Sequence, residues 1–259
     1  MLQLLLNGCY GKLSRAVIEY LEGSADARIA AGIDPAANSP ALPFPVFREL
    51  AALADQRPDV ILDCSAPAAL PGLLEFALRK QLPVVLATTG YGPAEFLMID
   101  EAAKRIPVFQ SGNMSLGIAL LKHLAQQAAA VLGETFDVEI VEAHHNRKVD
   151  APSGTAYILG EAVNAGLKTP RNYEHHRQAR RAPRPQAEIG MHAIRGGTLP
   201  GEHTVLFAGF DEVIELTHRA YSRRIFAAGF VNAARFIAGC PAGRYGMDDM
   251  VNLYGKAEG

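Results

Sequence analysis

The chain has 259 residues, 49% apolar and 20% charged, with 25 basic and 27 acidic residues and three scattered cysteines, Cys9, Cys64 and Cys240. That composition supports a sizeable core in one large or two modest domains, and excludes disordered, collagen-like and low-complexity chains. The balance of charge makes nucleic acid a poor partner, the cysteines form neither a disulfide framework nor a metal-binding pair, and no apolar run reaches the roughly 18 residues of a membrane span.

Residues 2–6 are an apolar strand broken only by Gln3 that runs into a glycine loop, without the charged segment of a signal peptide, so the expected location is cytoplasmic. Leu13, Val17 and Leu21 recur every four residues as one stripe of a helix. Further strands are predicted at 28–33, 60–62, 83–88 and 107–110, with helices at 69–80 and 93–105 between them. This β-α-β-α rhythm, with strands apolar throughout, predicts a Rossmann-like α/β domain whose parallel sheet is covered on both faces. A long Ala- and Leu-rich helix follows at 116–132. The pattern then changes to period two, with Phe136, Val138 and Ile140 and later Ile189, Met191 and Ala193 on one face, and strands at 204–210 and 212–219 across a tight turn. A second, α+β domain with a mixed or antiparallel sheet is expected there. Residues 168–186, dense in arginine, read as an exposed basic loop. Residues 224–238 read as a helix, and the rest as a polar tail.

Gly8-Cys9-Tyr10-Gly11-Lys12-Leu13-Ser14 leaves the first strand and opens a helix, where glycines let backbone amides approach a pyrophosphate and the helix start adds positive potential. Ser14 stands where a third glycine usually allows close helix–strand packing. Asp34, at the end of the second strand, can accept from a ribose 2′-hydroxyl, which favours NAD; Lys12 could pair with a 2′-phosphate, which favours NADP. Thr88-Thr89-Gly90 and Gly112-Asn113-Met114-Ser115 follow two further strands, at the edge where parallel sheets bind ligands.

The densest chemistry lies between Glu139 and Ala156, where His144, His145, Arg147 and Lys148 precede Pro152-Ser153-Gly154-Thr155 at a helix start. Amides and hydroxyls at such a start bind carboxylates, and histidine or lysine can deliver a proton. The combination suits a small dianionic substrate. A metal is not expected, because HExxH is absent and adjacent strand histidines point to opposite faces.

The run Glu-x-x-Glu-Ala-His-His-x-x-Lys-x-Asp-x-Pro-Ser-Gly-Thr-Ala closely resembles the signature of the 4-hydroxy-tetrahydrodipicolinate (dihydrodipicolinate) reductases, which act on the diaminopimelate route to lysine. The resemblance extends over nearly the whole chain, through the glycine loop, Thr-Thr-Gly, Gly-Asn-Met-Ser-Leu-Gly, Gly201-Glu202-His203-Thr204 and Leu216-Thr217-His218-Arg219-Ala220. It implies reduction of the hydroxy-tetrahydrodipicolinate ring by NADH, NADPH or both, in a homotetramer built through the second domain's sheet. It also implies proton delivery by His144 and Lys148, and substrate contacts from His145, Ser153, Gly154 and Thr155. The implied cofactor residues are Gly8, Cys9, Tyr10, Gly11, Lys12, Leu13, Asp34, Ala87, Thr88, Thr89, Ser111, Gly112, Asn113 and Met114. Residues 1–114 and 222–259 are then the dinucleotide-binding domain, and 115–221 the substrate-binding and oligomerisation domain. Ser14 and Ala87 depart from the family's usual glycines. Two rival readings are another nicotinamide-dependent dehydrogenase of a small carboxylate and a dinucleotide sensor without catalysis.

Overall fold

The computed structural model describes residues 1–36, 41–53 and 57–255. In chain order the elements are β1 (Leu2–Asn7), α1 (Lys12–Leu21), β2 (Ala27–Ile33), β3 (Val46–Phe47), β4 (Val60–Asp63), α2 (Leu70–Lys80), β5 (Val84–Leu86), α3 (Pro93–Ala103) and β6 (Pro107–Gln110). There follow α4 (Leu116–Leu132), β7 (Asp137–His144), α5 (Gly154–Gly166), β8 (Asn172–Glu174), β9 (Glu188–Arg195), β10 (Gly201–Ala208) and β11 (Val213–Ala220). The chain finishes with α6 (Arg224–Ile237), β12 (Gly243–Tyr245) and α7 (Met247–Gly255). Two units result: Met1–Ser115 with Arg223–Gly259, and Leu116–Ser222.

The first unit is built on a seven-stranded sheet in the order β3-β2-β1-β4-β5-β6-β12, parallel throughout. Leu4–Leu6, Val60–Leu62 and Val84–Leu86 are completely buried, as strands covered on both faces must be. Leu73, Phe76 and Ala77 of α2 and Ile99 of α3 pack with Leu5 and Ile61 in one core cluster. Helix α6 lies against α1 and against β4, β5 and β6. Its Gly229 makes that packing possible, because a Cβ there would overlap the Met114 carbonyl oxygen. Strand order reverses between β1 and β4, which leaves a crevice outside their carboxyl ends.

The second unit has a mixed sheet, β11-β10-β7-β9-β8, in which β7 pairs antiparallel with β10 and parallel with β9. Ile118, Leu121 and Ala125 of α4 and Ala156, Leu159 and Val163 of α5 cover one face, against Val138, Ile140, Ile189, Met191, Val205 and Phe207. The segment Leu116–Thr135 is long and apolar enough to cross a membrane by length and composition alone. Its burying stripe and its Lys122, His123, Gln126 and Gln127 identify an amphipathic cover for a sheet. On the opposite face Val141, Thr204 and Thr217 stand side by side, with Leu206 next along and Ile194 and Val213 exposed.

Three expectations are corrected. The polar tail contains β12, a parallel edge strand on β6, and α7. Strand 83–88 ends at Leu86, because the Thr88 hydroxyl turns back to Asp63. The basic segment 168–186 is not simply solvated. Arg171 is buried and donates to the Phe136 carbonyl, while Arg177 and Arg184 reach Glu139 and Arg180 reaches Glu188 at 2.6–3.0 Å. Burial pushes the Glu139 carboxyl up, but hydrogen bonds from Arg177, His192 and Arg184 outweigh it and hold the group at about 2. Gly190 leaves the room, since a Cβ would overlap the Glu139 carboxylate.

Gly229→Ala is expected to cost about 1–3 kcal/mol by overpacking α6 on the Met114 carbonyl, read as a lowered urea midpoint. An unchanged midpoint would show that the segment moves aside freely.

Candidate active site

In the first unit a crevice lies outside the carboxyl ends of β1 and β4. A cavity of about 770 Å³ opens there, lined among others by Gly8, Gly11, Asp34, Ser65, Ala69 and Leu73. Gly8 has φ +80°, and a Cβ on it would come within 2.9 Å of Ser65 Cα, so the loop needs glycine for both conformation and space. The Gly8 and Cys9 amides donate to the Ile33 carbonyl, the Gly11 amide to Gly8 and the Tyr10 amide to the Asp34 carboxylate. The loop's own amides thus fix its shape, and the donors left for an anion are those of the first turn of α1. Ser14 fits where a glycine was expected because it is fully buried and donates to the Gly8 carbonyl at 2.6 Å, with Cys64 Sγ 2.9 Å away.

Asp63, 1% exposed, gathers the strand ends around this crevice. It accepts from Asn7 Nδ2 at the end of β1 (2.7 Å), from the Ser65 hydroxyl (2.6 Å) and from the Thr88 hydroxyl after β5 (2.7 Å). Of the expected cofactor residues, Gly8, Gly11 and Asp34 line the cavity. Cys9 is fully buried and, with Tyr10, borders a separate pocket of about 280 Å³. The Thr88 and Met114 side chains are buried and are not among the residues that line the cavity. Ser111 and Asn113 bond within their own turn, with the Asn113 carboxamide oxygen accepting from the Ser115 amide. Lys12 and Thr89 are exposed, and Leu13, Ala87 and Gly112 are half-buried or exposed in the same loops. Burial pushes the Cys9 thiol up to about 11 and the Cys64 thiol up to about 12.

In the second unit the period-two pattern of β7 puts Glu142 and His144 on one face. Glu142 is 1% exposed, and three groups meet it through four contacts. Arg195, at the end of β9, donates to both oxygens (2.7 and 2.8 Å), the Ser153 amide donates to Oε1 (3.0 Å), and His144 Nδ1 lies 2.6 Å from Oε2. Burial pushes the Glu142 carboxyl up, but Arg195 and His144 hold it below the usual range. With Nδ1 so engaged, Nε2 is the nitrogen His144 has left; Gly201, φ +156°, stands where a Cβ would lie 3.0 Å from it. The His144 and His203 rings meet edge to face at 5.1 Å.

Ser153 is the N-cap of α5: its hydroxyl accepts from the Ala156 amide and lies 2.9 Å from His203 Nε2. Its amide, carbonyl and hydroxyl are all engaged within the fold. Gly154 begins the helix, and a Cβ on it would meet nothing within 4 Å; Thr155 follows in the first turn. His145 leaves the strand, donates its amide to the Leu199 carbonyl (2.8 Å) and keeps a buried Nδ1 with no hydrogen-bond partner among the described residues. Lys148 turns back on His145 through its amide, and its ammonium lies 2.8 Å from Asp150. Arg195 also donates to the Asp150 carbonyl, tying this loop to the Glu142 cluster.

Two family models cover almost all of the chain: dihydrodipicolinate reductase, N-terminus, matches residues 2–114, and dihydrodipicolinate reductase, C-terminus, residues 117–251. The chain belongs to the dihydrodipicolinate reductase family. The 4-hydroxy-tetrahydrodipicolinate reductase of Caldanaerobacter subterraneus subsp. tengcongensis is 44% identical over 251 residues, 97% of this chain and 98% of that one. The enzyme of the same name from Clostridium tetani is 42% identical over 252 residues, with the same coverage. A dipicolinate-bound dihydrodipicolinate reductase from Paenisporosarcina sp. TG-14 shares the fold, with TM-score 0.79 over 96% of this chain and 99% of that one, at 24% identity.

For a member of the dihydrodipicolinate reductase family, the supporting residues that sequence reasoning passed over are Glu142, Arg195, His203 and Asp63. Glu142 carried a signal, lying two residues before His144 in a period-two strand, hence on its face. His203 lay in a quoted motif without a role. Arg195 and Asp63 gave none, because their partners are 53 and 56 residues away.

Burial, followed by the nearby His144, lowers His203 from the ordinary 6.5 to about 4. Between those values the unfolded chain takes up a proton that the folded chain refuses. The stabilisation is therefore complete above pH 6.5 and lost as pH falls toward 4, on the order of 3 kcal/mol in all. In urea titrations from pH 7 to 4, His203→Gln is expected to flatten the acid-side slope by about one proton; equal slopes would contradict this.

Proposed function

We propose a division of labour for this chain, which is an NAD(P)H-dependent oxidoreductase reducing 4-hydroxy-tetrahydrodipicolinate on the diaminopimelate route to lysine. Membership of the family over nearly the full length, together with the Glu142-centred cluster, carries the reading. The crevice residues fit a nicotinamide dinucleotide: glycines that tolerate no side chain, first-turn amides of α1, and Asp34 at the cavity edge. When bound, the dinucleotide supplies the hydride.

Loss of the ring hydroxyl as water leaves a cyclic conjugated imine carrying two carboxylates. Reduction places negative charge on the conjugated system, and one proton must arrive. Lys148 and His144 are the donors and the source of positive field in this reading. Glu142 acts through His144, fixing its ring by Nδ1 and leaving Nε2 for proton transfer. The amides of Gly154 and Thr155 at the open start of α5 receive a carboxylate, with His145 beside them. The crevice and loops from Gly8 to Leu13, Asp34, Ala87 to Thr89 and Ser111 to Met114 form the dinucleotide side, and either NADH or NADPH serves as donor. The reaction belongs in the cytoplasm.

A coupled assay with freshly generated substrate tests this. Lys148→Ala is expected to lower kcat at least 100-fold, with reduced-dinucleotide affinity within two-fold. An unchanged kcat would remove Lys148 from proton delivery. Substrate-independent binding without oxidation would favour a sensor, and preference for another carboxylate in a substrate panel a different dehydrogenase.

Homotetramer formation through the uncovered face of the mixed sheet completes the proposal. That face carries Val141, Leu206 and Val213, one on each of three strands and half-exposed or exposed, with Leu206 standing between Glu139 and Glu215 in the register. Leu206→Asp is expected to dissociate the assembly in light scattering after gel filtration; a wild-type mass would place the interface elsewhere.

A further inference from the structure

Alternate residues of β10 face the covered side of the mixed sheet, and His203 is one of them. It is 4% exposed and stands in the register between Glu142 on β7 and His218 on β11. Its Nε2 lies 2.9 Å from the Ser153 hydroxyl, which already accepts from the Ala156 amide. Were Nε2 the donor, the serine proton would have no acceptor among the described residues, and Nδ1 would be left with an unmatched lone pair. With the serine donating to Nε2, one group alone stays unmatched: a proton on Nδ1, which is buried and has no hydrogen-bond partner among the described residues. Burial, followed by the nearby His144, lowers His203 to about 4, so the ring carries that single proton at neutral pH. Leaving a buried donor unpaired is costly, and packing alone would not call for one.

We infer that His203 is a positioning residue for the reduction, acting through two parts of one ring: Nε2 holds the Ser153 cap of α5, and the ring itself holds His144. The inference rests on the proposed roles of His144 in proton delivery and of the Gly154 and Thr155 amides in receiving a carboxylate. Glu142 holds His144 at one atom, Nδ1. A single hydrogen bond lets an imidazole rock about it, and the His203 ring, 5.1 Å away and inclined by 74°, occupies the space beside it. Gly201, two residues earlier on the same face of β10, has no side chain to cover Nε2 of His144. The Ser153 cap fixes the first turn of α5, where the Gly154 and Thr155 amides lie. A neutral ring suits both tasks, because a second cation beside His144 would repel a proton held there.

Two substitutions separate the two contacts. Glutamine carries an oxygen as many bonds from Cβ as Nε2, so it keeps an acceptor for Ser153 and removes the ring. Phenylalanine keeps the ring and removes the acceptor. In a steady-state assay with freshly generated substrate, His203→Gln is expected to lower kcat about ten-fold or more, with KM within about two-fold. His203→Phe is expected to raise KM about three- to ten-fold, with the larger share of kcat retained. Parallel losses in the two variants, or no change in either, overturn the assignment. Nitrogen-15 histidine spectra of the wild-type chain give a second readout that needs no variant. At pH 7 they are expected to contain a neutral histidine protonated on Nδ1, titrating near 4. Its absence overturns the proposal even if neither variant folds. A wild-type chain that does not turn over the substrate would refute the reading of the site, whereas an active one whose spectrum lacks this tautomer would refute His203 alone.

Discussion

The second unit depends on the burial of one carboxylate. Glu142 sits inside the fold with its charge, which is tolerable only if both oxygens are met by donors. Those donors come from three places in the chain: the end of β9, the start of α5 and the strand that carries Glu142 itself. Because one group must satisfy them all, the arrangement of Arg195, Ser153 and His144 is determined together. Orientation of the histidine ring, capping of α5 and anchoring of the Lys148 loop are consequences of a single electrostatic requirement.

The first unit solves the same problem with Asp63. A buried aspartate at the end of β4 draws in Asn7 from β1 and Thr88 from the turn after β5, and so sets the loops around the crevice. Ser14 adds a second lock by bonding the Gly8 carbonyl. A larger side chain than serine would collide there, while glycine would leave the carbonyl to other partners. The departure from a three-glycine loop is a change of fastening that preserves the path of the backbone.

Much of this was legible in the residues. The fully apolar runs of β1, β4 and β5 announced a sheet covered on both faces, and period two in β7 announced a sheet open on one. The His-His-x-x-Lys…Ser-Gly-Thr run marked the right region. What escaped was non-local. Two-residue β3 and three-residue β12 have no pattern of their own and form because a neighbouring strand offers unpaired backbone groups. Arg177 and Arg184 looked like part of a solvated loop because two of their acids, Glu139 and Asp137, lie about 40 residues earlier. The burial of Ser153, its helix cap and its contact with His203 were likewise not legible, because His203 lies 50 residues away.

Of the three cysteines, Cys64 lines the crevice outside β1 and β4 and Cys9 lies buried in the loop that follows β1. Attack on peroxides and disulfides proceeds through the thiolate. With Cys9 at about 11 and Cys64 at about 12, both stay protonated at neutral pH. The loop and the strand end therefore carry sulfur as a small, soft packing group held in its protonated form.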